Sequence, residues 1–261
     1  MRDIEPFLTS LETRHLANLT RSELTRALRA LSSCYVERRG KLESGAALDG
    51  AGKRAAFALF YGPLHFITIS EVLRALDAGD HCPKTIVDLG CGTGVGGAAW
   101  AIACGRTPAV QGIDRSVWAV SEANWTYQQL GIRGRAGARD LSRIPDSAIA
   151  RSPDSSILLA YAANELSDHA RAALLAAVTA AIARGAGVLV IEPIARRDRP
   201  WWPEWAKALT KEGAREDEWR FPADLPPTLR QMAKSAGLDP RELTARTLAK
   251  LAGPPRAAGP G

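Results

Sequence analysis

The sequence predicts an α/β fold: a parallel sheet covered by helices on both faces, preceded by a helical extension. Three observations carry that expectation. From Lys84 onward, short apolar runs alternate with helical segments, and a strand that is apolar throughout is one buried on both faces, as in a parallel sheet. The first such run, Thr85 to Leu89, passes directly into glycines at 90, 92, 94, 96 and 97, ahead of an apolar helical segment containing Ala98 to Cys104. Before Lys84 the apolar spacing is helical instead.

The extension, residues 1–80, is clearest between Thr20 and Gly40. Thr20 and Glu23 form a capping box, Leu24, Leu28, Leu31 and Tyr35 follow as one apolar stripe, and Gly40 ends the helix. The other face carries Arg21, Arg26, Arg29, Arg38 and Arg39, either solvated or in contact with RNA. Glu43 to Lys53 reads as a small-residue linker. A helix from Arg54 to Tyr61 is expected to break at Gly62-Pro63, before another from His65 to Asp77. Tyr61 and His65 sit at that break, where they line a pocket or pack within a helical hairpin.

In the alternating part, strands are read at Thr85 to Leu89, Ala109 to Ile113, a short third before Ala138, Ser156 to Tyr161 and Val188 to Glu192, with helices near 96–104, 117–130 and 167–184. A strand around Trp219 to Phe221, a helix from Thr228 to Ala236 and a strand near Leu243 to Ala249 complete the pattern. The tail, residues 253–261, is expected to be disordered. Ligands of such sheets gather at the carboxyl ends of the strands.

A glycine-rich loop lets backbone amides approach a ligand and takes up positive φ without steric cost. The helix behind it aims unpaired N–H groups at the same place. Gly92, Gly94 and Gly97 satisfy G-x-G-x-x-G, a spacing that also suits a dinucleotide. Asp88, two residues before the first glycine, is no part of that fingerprint; it braces the loop amides or meets a cationic ligand. Asp114 ends the second strand, twenty residues after Gly94, and suits hydrogen bonding to ribose hydroxyls. A strand-to-helix turn without a ligand is the plain alternative.

The D-x-G-x-G-x-G pattern after an apolar strand resembles the first motif of class I S-adenosylmethionine (SAM) methyltransferases, over about Lys84 to Leu251. The resemblance implies a seven-stranded Rossmann-like methyltransferase sheet and S-adenosyl-L-methionine as cofactor. It implies a cofactor set of Asp88, Gly90, Cys91, Gly92, Gly94, Asp114, Arg115, Asp140, Leu141 and Tyr161, with Asp140 and a neighbouring amide at the adenine. At the end of the fourth strand, Asn164 and Glu165 are the candidate catalytic residues. Asn164 would orient an acceptor nitrogen or oxygen and Glu165 would take its proton; otherwise both only satisfy backbone donors at the turn. A narrower resemblance rests on the helices from Lys53 to Leu76, on Tyr161 to Leu166 and on Val188 to Pro193. It is to the methyltransferase-like family associated with assembly of the small ribosomal subunit, whose members hold a metal on a C-terminal cysteine cluster; here no cysteine follows Cys104.

Composition bounds the partners. Cys34, Cys82, Cys91 and Cys104 are scattered without a C-x-x-C, so each is expected as a small buried hydrophobe, outside any disulfide or zinc site. A net charge of +6 admits an anionic partner such as RNA. Arg196, Arg197 and Arg199 interleave with Trp201, Trp202 and Trp205, which suits stacked bases or a hydrophobic plug over the sheet. No long apolar run is present and the opening MRDIEPFL does not read as a signal peptide, so no membrane, no metal and a cytoplasmic location are expected. The expected domains are a helical cap at 1–80, a SAM-binding domain at 81–252 and the tail at 253–261. The expected function is methyl transfer to an N or O acceptor, with rRNA a candidate. The alternatives are a non-catalytic RNA-binding assembly factor, a small-molecule methyltransferase and an NAD-dependent oxidoreductase.

Overall fold

A computed structural model describes residues 4–17, 19–37, 50–143, 149, 152–194 and 200–252. Gly40, Arg38, Arg39, most of the expected linker, the arginines between 196 and 199 and the tail at 253–261 lie outside the described residues. The chain forms two compact units, Met1–Ile67 with Phe221–Leu243, and Thr68–Arg220 with Thr244–Gly261.

The second unit holds the sheet. Its strands are β1 (Thr85–Leu89), β2 (Ala109–Asp114), β3 (Gly134–Ala138), β4 (Ser155–Ala160), β5 (Gly187–Glu192), β6 (Arg215–Pro222) and β7 (Glu242–Lys250), in the order β3-β2-β1-β4-β5-β7-β6. The first five pair in parallel, with Leu89 opposite Ile113 and Asp88 opposite Leu158. β7 runs antiparallel to β5, which sets Arg246 opposite Glu192. The chain winds outward from β1 to β3 and then returns to β4. The order therefore reverses between β1 and β4, the place where open α/β sheets bind ligands.

Helices α5 (Val95–Ala103), α6 (Val117–Gln129), α7 (Asp168–Ala183) and α8 (Trp202–Lys211) cover the sheet. Alternate residues of the central strands, Val87, Leu89, Ile157, Leu159, Val188 and Val190, pack with Leu174, Val178 and Ile182 of α7 and Trp205 and Leu209 of α8. Each such side chain is worth roughly 1.5–3 kcal/mol when fully buried. α8 was not foreseen as a helix, although Trp202, Trp205, Ala206 and Leu209 are its buried positions and fall at i, i+3, i+4 and i+7.

The first unit contains α1 (Glu5–His15), α2 (Arg21–Glu37), α3 (Ala51–Ala56), the beginning of α4 (Gly62–Ala75) and α9 (Pro227–Ala236). The capping box forms as expected: Glu23 Oε2 accepts the Thr20 N–H at 2.8 Å, and Thr20 Oγ1 accepts the Glu23 N–H at 3.3 Å. Leu24, Leu28 and Leu31 are buried, while Arg21, Arg26 and Arg29 are exposed. Arg29 Nη2 donates to the Ser235 carbonyl at 2.7 Å, tying α2 to α9.

Two expectations are corrected. Gly62-Pro63 does not break the helix: a π turn, Phe57–Tyr61, leads straight into α4, and the Gly62 N–H donates to the Phe57 carbonyl. Proline has no N–H to place in the ladder, and the turn just before it is already widened to the π pattern. The resulting apolar helix, Ala51–Ala75, has the length and composition to cross a membrane, but 67% of its most apolar window is buried inside the protein. The second correction is that Cys82 and Cys104 are disulfide-bonded, with their Cα atoms 5.5 Å apart. The loop after α4 meets the end of α5 so closely that a Cβ on Gly79 would lie 2.9 Å from the Ala103 carbonyl, and that approach joins cysteines that sequence spacing leaves unrelated.

Candidate cofactor and acceptor site

The loop from β1 to α5 is built from three left-handed glycines, Gly90 (φ 74), Gly92 (φ 52) and Gly94 (φ 79). A Cβ on Gly90 would fall on that of Ala162, and one on Gly94 would come within 2.9 Å of Ala123 Cα and Tyr127 Cε1. Close packing therefore fixes both ends of the loop. A Cβ on Gly92, between them, would meet nothing within 4 Å, so the loop is open on that side, where a ligand can approach. The N–H groups of Gly90 and Cys91 donate to the Ile113 carbonyl at 2.8 and 3.0 Å, and that of Gly94 to the Cys91 carbonyl at 2.8 Å.

Asp88 is 2% exposed, and its Oδ2 accepts the Gly97 N–H at 2.9 Å. Of the two roles open to it in the sequence, bracing an amide at the start of α5 is the one its hydrogen bond serves; Gly94 at the N-cap has no side chain to do so. Burial drives its pKa up to about 7, against the Gly97 hydrogen bond and with help from Asp114. Cys91 is buried, and its Sγ and the Tyr127 hydroxyl both close on Gly112, where an added Cβ would lie within 2.9 Å of either. Burial pushes the Cys91 thiol well up, with smaller contributions from Asp88 and Asp114.

Asp114 sits at the end of β2 and spans two elements. Its Oδ2 accepts the Gly92 N–H at 2.9 Å and its Oδ1 accepts the Ser116 N–H at 2.8 Å. Ser116 in turn caps α6 by accepting the Ala119 N–H at 3.3 Å. Beyond β3, Leu141 packs on the core and approaches Gly90. Asp140 is exposed, accepts the Ser142 N–H at 2.9 Å, and is held below the usual carboxylate range chiefly by that bond, then by the Ser142 side chain, with Arg143 and Arg115 adding attraction.

β4 is followed at once by Tyr161, a non-glycine residue at φ 60 whose N–H donates to the Ile191 carbonyl at 2.9 Å. Backbone strain of this kind concentrates at binding and catalytic sites. A short 3-10 turn, Ala163–Glu165, follows. Asn164 Oδ1 accepts from Trp201 Nε1 at 3.4 Å, and Glu165 Oε2 lies 3.6 Å from Arg115 Nη2. Burial raises the Glu165 pKa to about 7; Arg115 opposes the rise, and Asp114 and Glu192 add to it.

The fold thus gathers Asp88, Gly90, Cys91, Gly92, Gly94, Asp114, Arg115, Tyr161, Asn164 and Glu165 at the carboxyl ends of β1, β2 and β4. Three residues that the sequence reading passed over support them. Arg171 on α7 is 8% exposed; its Nε donates to the Ala163 carbonyl at 3.0 Å, its Nη2 to that of Leu166, and its Nη1 to Asp168 at 2.8 Å. It clamps both ends of the turn that carries Asn164 and Glu165, and it stands 5.4 Å over the Trp201 ring. Glu192 and Arg246 are both buried at the end of β5 and on β7, and the Arg246 guanidinium lies 4.1 Å over the Trp202 ring. The signal for all three is a charged residue within an apolar run. Trp201, Trp202 and Trp205 are 7%, 2% and 1% exposed, so they form the plug over the sheet, and their faces are closed to stacked bases.

No protein-family model matches the sequence, and no curated protein matches it. Solved structures do. An O-methyltransferase family protein from Burkholderia thailandensis is similar over 94% of this chain and 77% of its own, with a TM-score of 0.57 and 14% identity. A structure described as a putative O-methyltransferase from Nostoc punctiforme covers 86% and 72%, with a TM-score of 0.53 and 13% identity. An O-methyltransferase from neocarzinostatin biosynthesis, solved with S-adenosylmethionine and 2-hydroxy-5-methyl naphthoic acid, covers 88% and 67%, with a TM-score of 0.50 and 16% identity. The resemblance to the ribosome-assembly family finds no support in these comparisons. A dinucleotide fold of order 3-2-1-4-5-6 also differs from this sheet, in which β7 is inserted between β5 and β6. The strand order, the reversed β7 and the likeness to solved enzymes agree: the chain has the Rossmann-like fold of class I methyltransferases.

Proposed function

We propose that the protein is an S-adenosyl-L-methionine-dependent methyltransferase that acts on a hydroxyl group of a small molecule. The observation that carries the reading is the open backbone at Gly92, bonded to Asp114, beside the strained end of β4. The residues present fit the cofactor. The cradle excludes side chains at Gly90 and Gly94, and each oxygen of Asp114 keeps lone-pair capacity for a ribose hydroxyl beyond the amide it already accepts. The oxygen acceptor is supported by the three similar structures, described as O-methyltransferases or a putative one, and the small molecule by the naphthoic acid bound in one of them and by the burial of the tryptophans that would have stacked on RNA bases.

When bound, the cofactor supplies a methyl group on a positively charged sulfur. The work left to the chain is alignment, which at best contributes on the order of 7–11 kcal/mol. Asn164, its Oδ1 engaged by Trp201, presents its amide N–H groups to an acceptor oxygen. Glu165 has Oε2 turned to Arg115, which leaves Oε1 to take the hydroxyl proton; a carboxylate titrating near 7 is matched to general-base work at neutral pH. Trp201 and Trp205 exclude water from one side of the turn.

The test is calorimetric titration with S-adenosylhomocysteine (SAH), comparing the natural protein with Asp88→Ala, Asp114→Ala and Gly92→Val. Micromolar binding that is lost in the last two establishes the site. A well-folded natural protein that binds no SAH overturns the proposal.

A further inference from the structure

β2 and β4 are not neighbours; β1 lies between them, so their ends stand about 9–10 Å apart. The Arg115 side chain closes that gap, reaching Glu165 at 3.6 Å across the end of the strand from which the glycine loop departs. The backbone of Glu165 is held independently, because Arg171 clamps the carbonyls of Ala163 and Leu166. The charged groups facing Glu165 are Asp114 at the end of β2, Arg115 just beyond it and Glu192 at the end of β5. On the α7 side the Arg171 guanidinium is committed to Asp168 and the two carbonyls, and at the start of α8 the neighbour of the turn is the Trp201 indole, bonded to Asn164.

We propose that Arg115 is a positioning residue for methyl transfer: its guanidinium holds the Glu165 carboxylate charged and aimed across the end of β1, next to the carboxylate that meets the cofactor ribose. The inference rests on the methyltransferase reading. The two negative neighbours, Asp114 and Glu192, favour a proton on Glu165, and the adjacent Arg115 cation, 3.6 Å away, opposes them. Without Arg115 the balance moves toward the protonated form, which cannot accept a proton from an acceptor hydroxyl. Lysine at 115 keeps the charge but lacks the planar fork, so it restores the effect in part.

The experiment follows the Glu165 carboxyl carbon by NMR through a pH titration, the signal being assigned with Glu165→Gln, in the natural protein and in Arg115→Met, Arg115→Gln and Arg115→Lys. The expected result is a midpoint about one pH unit higher in both neutral variants and an intermediate midpoint in Arg115→Lys. Arg115 is exposed, and thermal melting checks that each variant is folded. A purely structural role would change the melting temperature and leave the midpoint in place. An unchanged midpoint in either folded neutral variant, with SAH binding intact, overturns the role of Arg115 alone. Failure of the natural protein to bind SAH overturns the proposed function, and the role of Arg115 in it.

Discussion

Asp114 holds Gly92 from the neighbouring strand: one carboxylate oxygen takes the Gly92 amide at 2.9 Å and the other takes the Ser116 amide at 2.8 Å. The glycine loop and the start of α6 are therefore fixed by the same side chain. Asp114→Ala removes two hydrogen bonds to a charged acceptor, each worth about 1.5–3 kcal/mol when sheltered from water and less at this half-buried site. We expect about 2 kcal/mol lower stability in urea unfolding and at least a tenfold weaker SAH affinity. Asp114→Asn, which keeps one acceptor oxygen, should lose less of both.

Gly97 meets Asp88 and β2 with no room to spare. An added Cβ would lie 2.9 Å from Asp88 Oδ2 and would press on Val110 Cγ1. Gly97→Ala should cost about 1–3 kcal/mol through overpacking, despite the better helix propensity of alanine. Gly105→Ala is the comparison: it has open space around it but φ 65, so its cost reports backbone strain without a clash.

The pH dependence has a definite sign. Asp88 titrates near 7 in the folded protein and near its ordinary 3.8 when unfolded, so between those values the folded state holds the extra proton. Its contribution to stability is full below about pH 4, declines as pH rises to 7 and then levels off, with a slope of about 1.4 kcal/mol per unit at most. Glu165 acts in the same direction. His65, in the first unit, is depressed to about 4 by desolvation and acts in the opposite one, stabilising above its unfolded value and losing that as pH falls through 4. Asp88→Asn should therefore gain on the natural protein as pH is raised from 4.5 to 7.5 in denaturant titrations. Parallel curves would mean that Asp88 is ionised throughout.

The Cys82–Cys104 bond encloses β1, the glycine loop and α5, a separation of 22 residues. Closing a loop of that length lowers the entropy of the unfolded chain by about 3 kcal/mol at 25 °C. Calorimetric melting with and without a reductant should show a loss of that order, and Cys82→Ser with Cys104→Ser should be insensitive to the reductant. Mass spectrometry of an alkylated digest should find Cys91 labelled only after unfolding, because its thiol is buried.

Much of the fold could be read from the chain because β1, β4 and β5 are buried on both faces and so are built mainly on apolar runs, Ile86-Val87, Ile157 to Ala160 and Val188 to Ile191. β6 is longer than the sequence suggested, Arg215 to Pro222 where only Trp219 to Phe221 stood out; it lies at the sheet edge and alternates charged, exposed residues, a pattern that protects an edge and hides the strand. The first half of the site was legible for a local reason: Asp88, the glycines and Asp114 act through backbone geometry within a single β-α-β unit. Arg171, Glu192 and Arg246 were not, since their roles come from what the tertiary fold brings beside them. The disulfide escaped notice likewise, because nothing local relates Cys82 to Cys104.

The π turn at Phe57–Tyr61 amounts to one residue more than a regular helix needs. Everything before it is turned by about 100° relative to the helix that follows, so Ala55 and Ala56 are buried in a phase that an uninterrupted helix would not give them. The surplus residue and Pro63 form a matched pair. Deleting Ala58 alone would tighten the turn onto the proline ring and swing the preceding face out of its packing. Deleting Ala58 together with Pro63→Ala would relieve the ring but leave the face misdirected, so the N-terminal packing holds the insertion in place even where the proline does not.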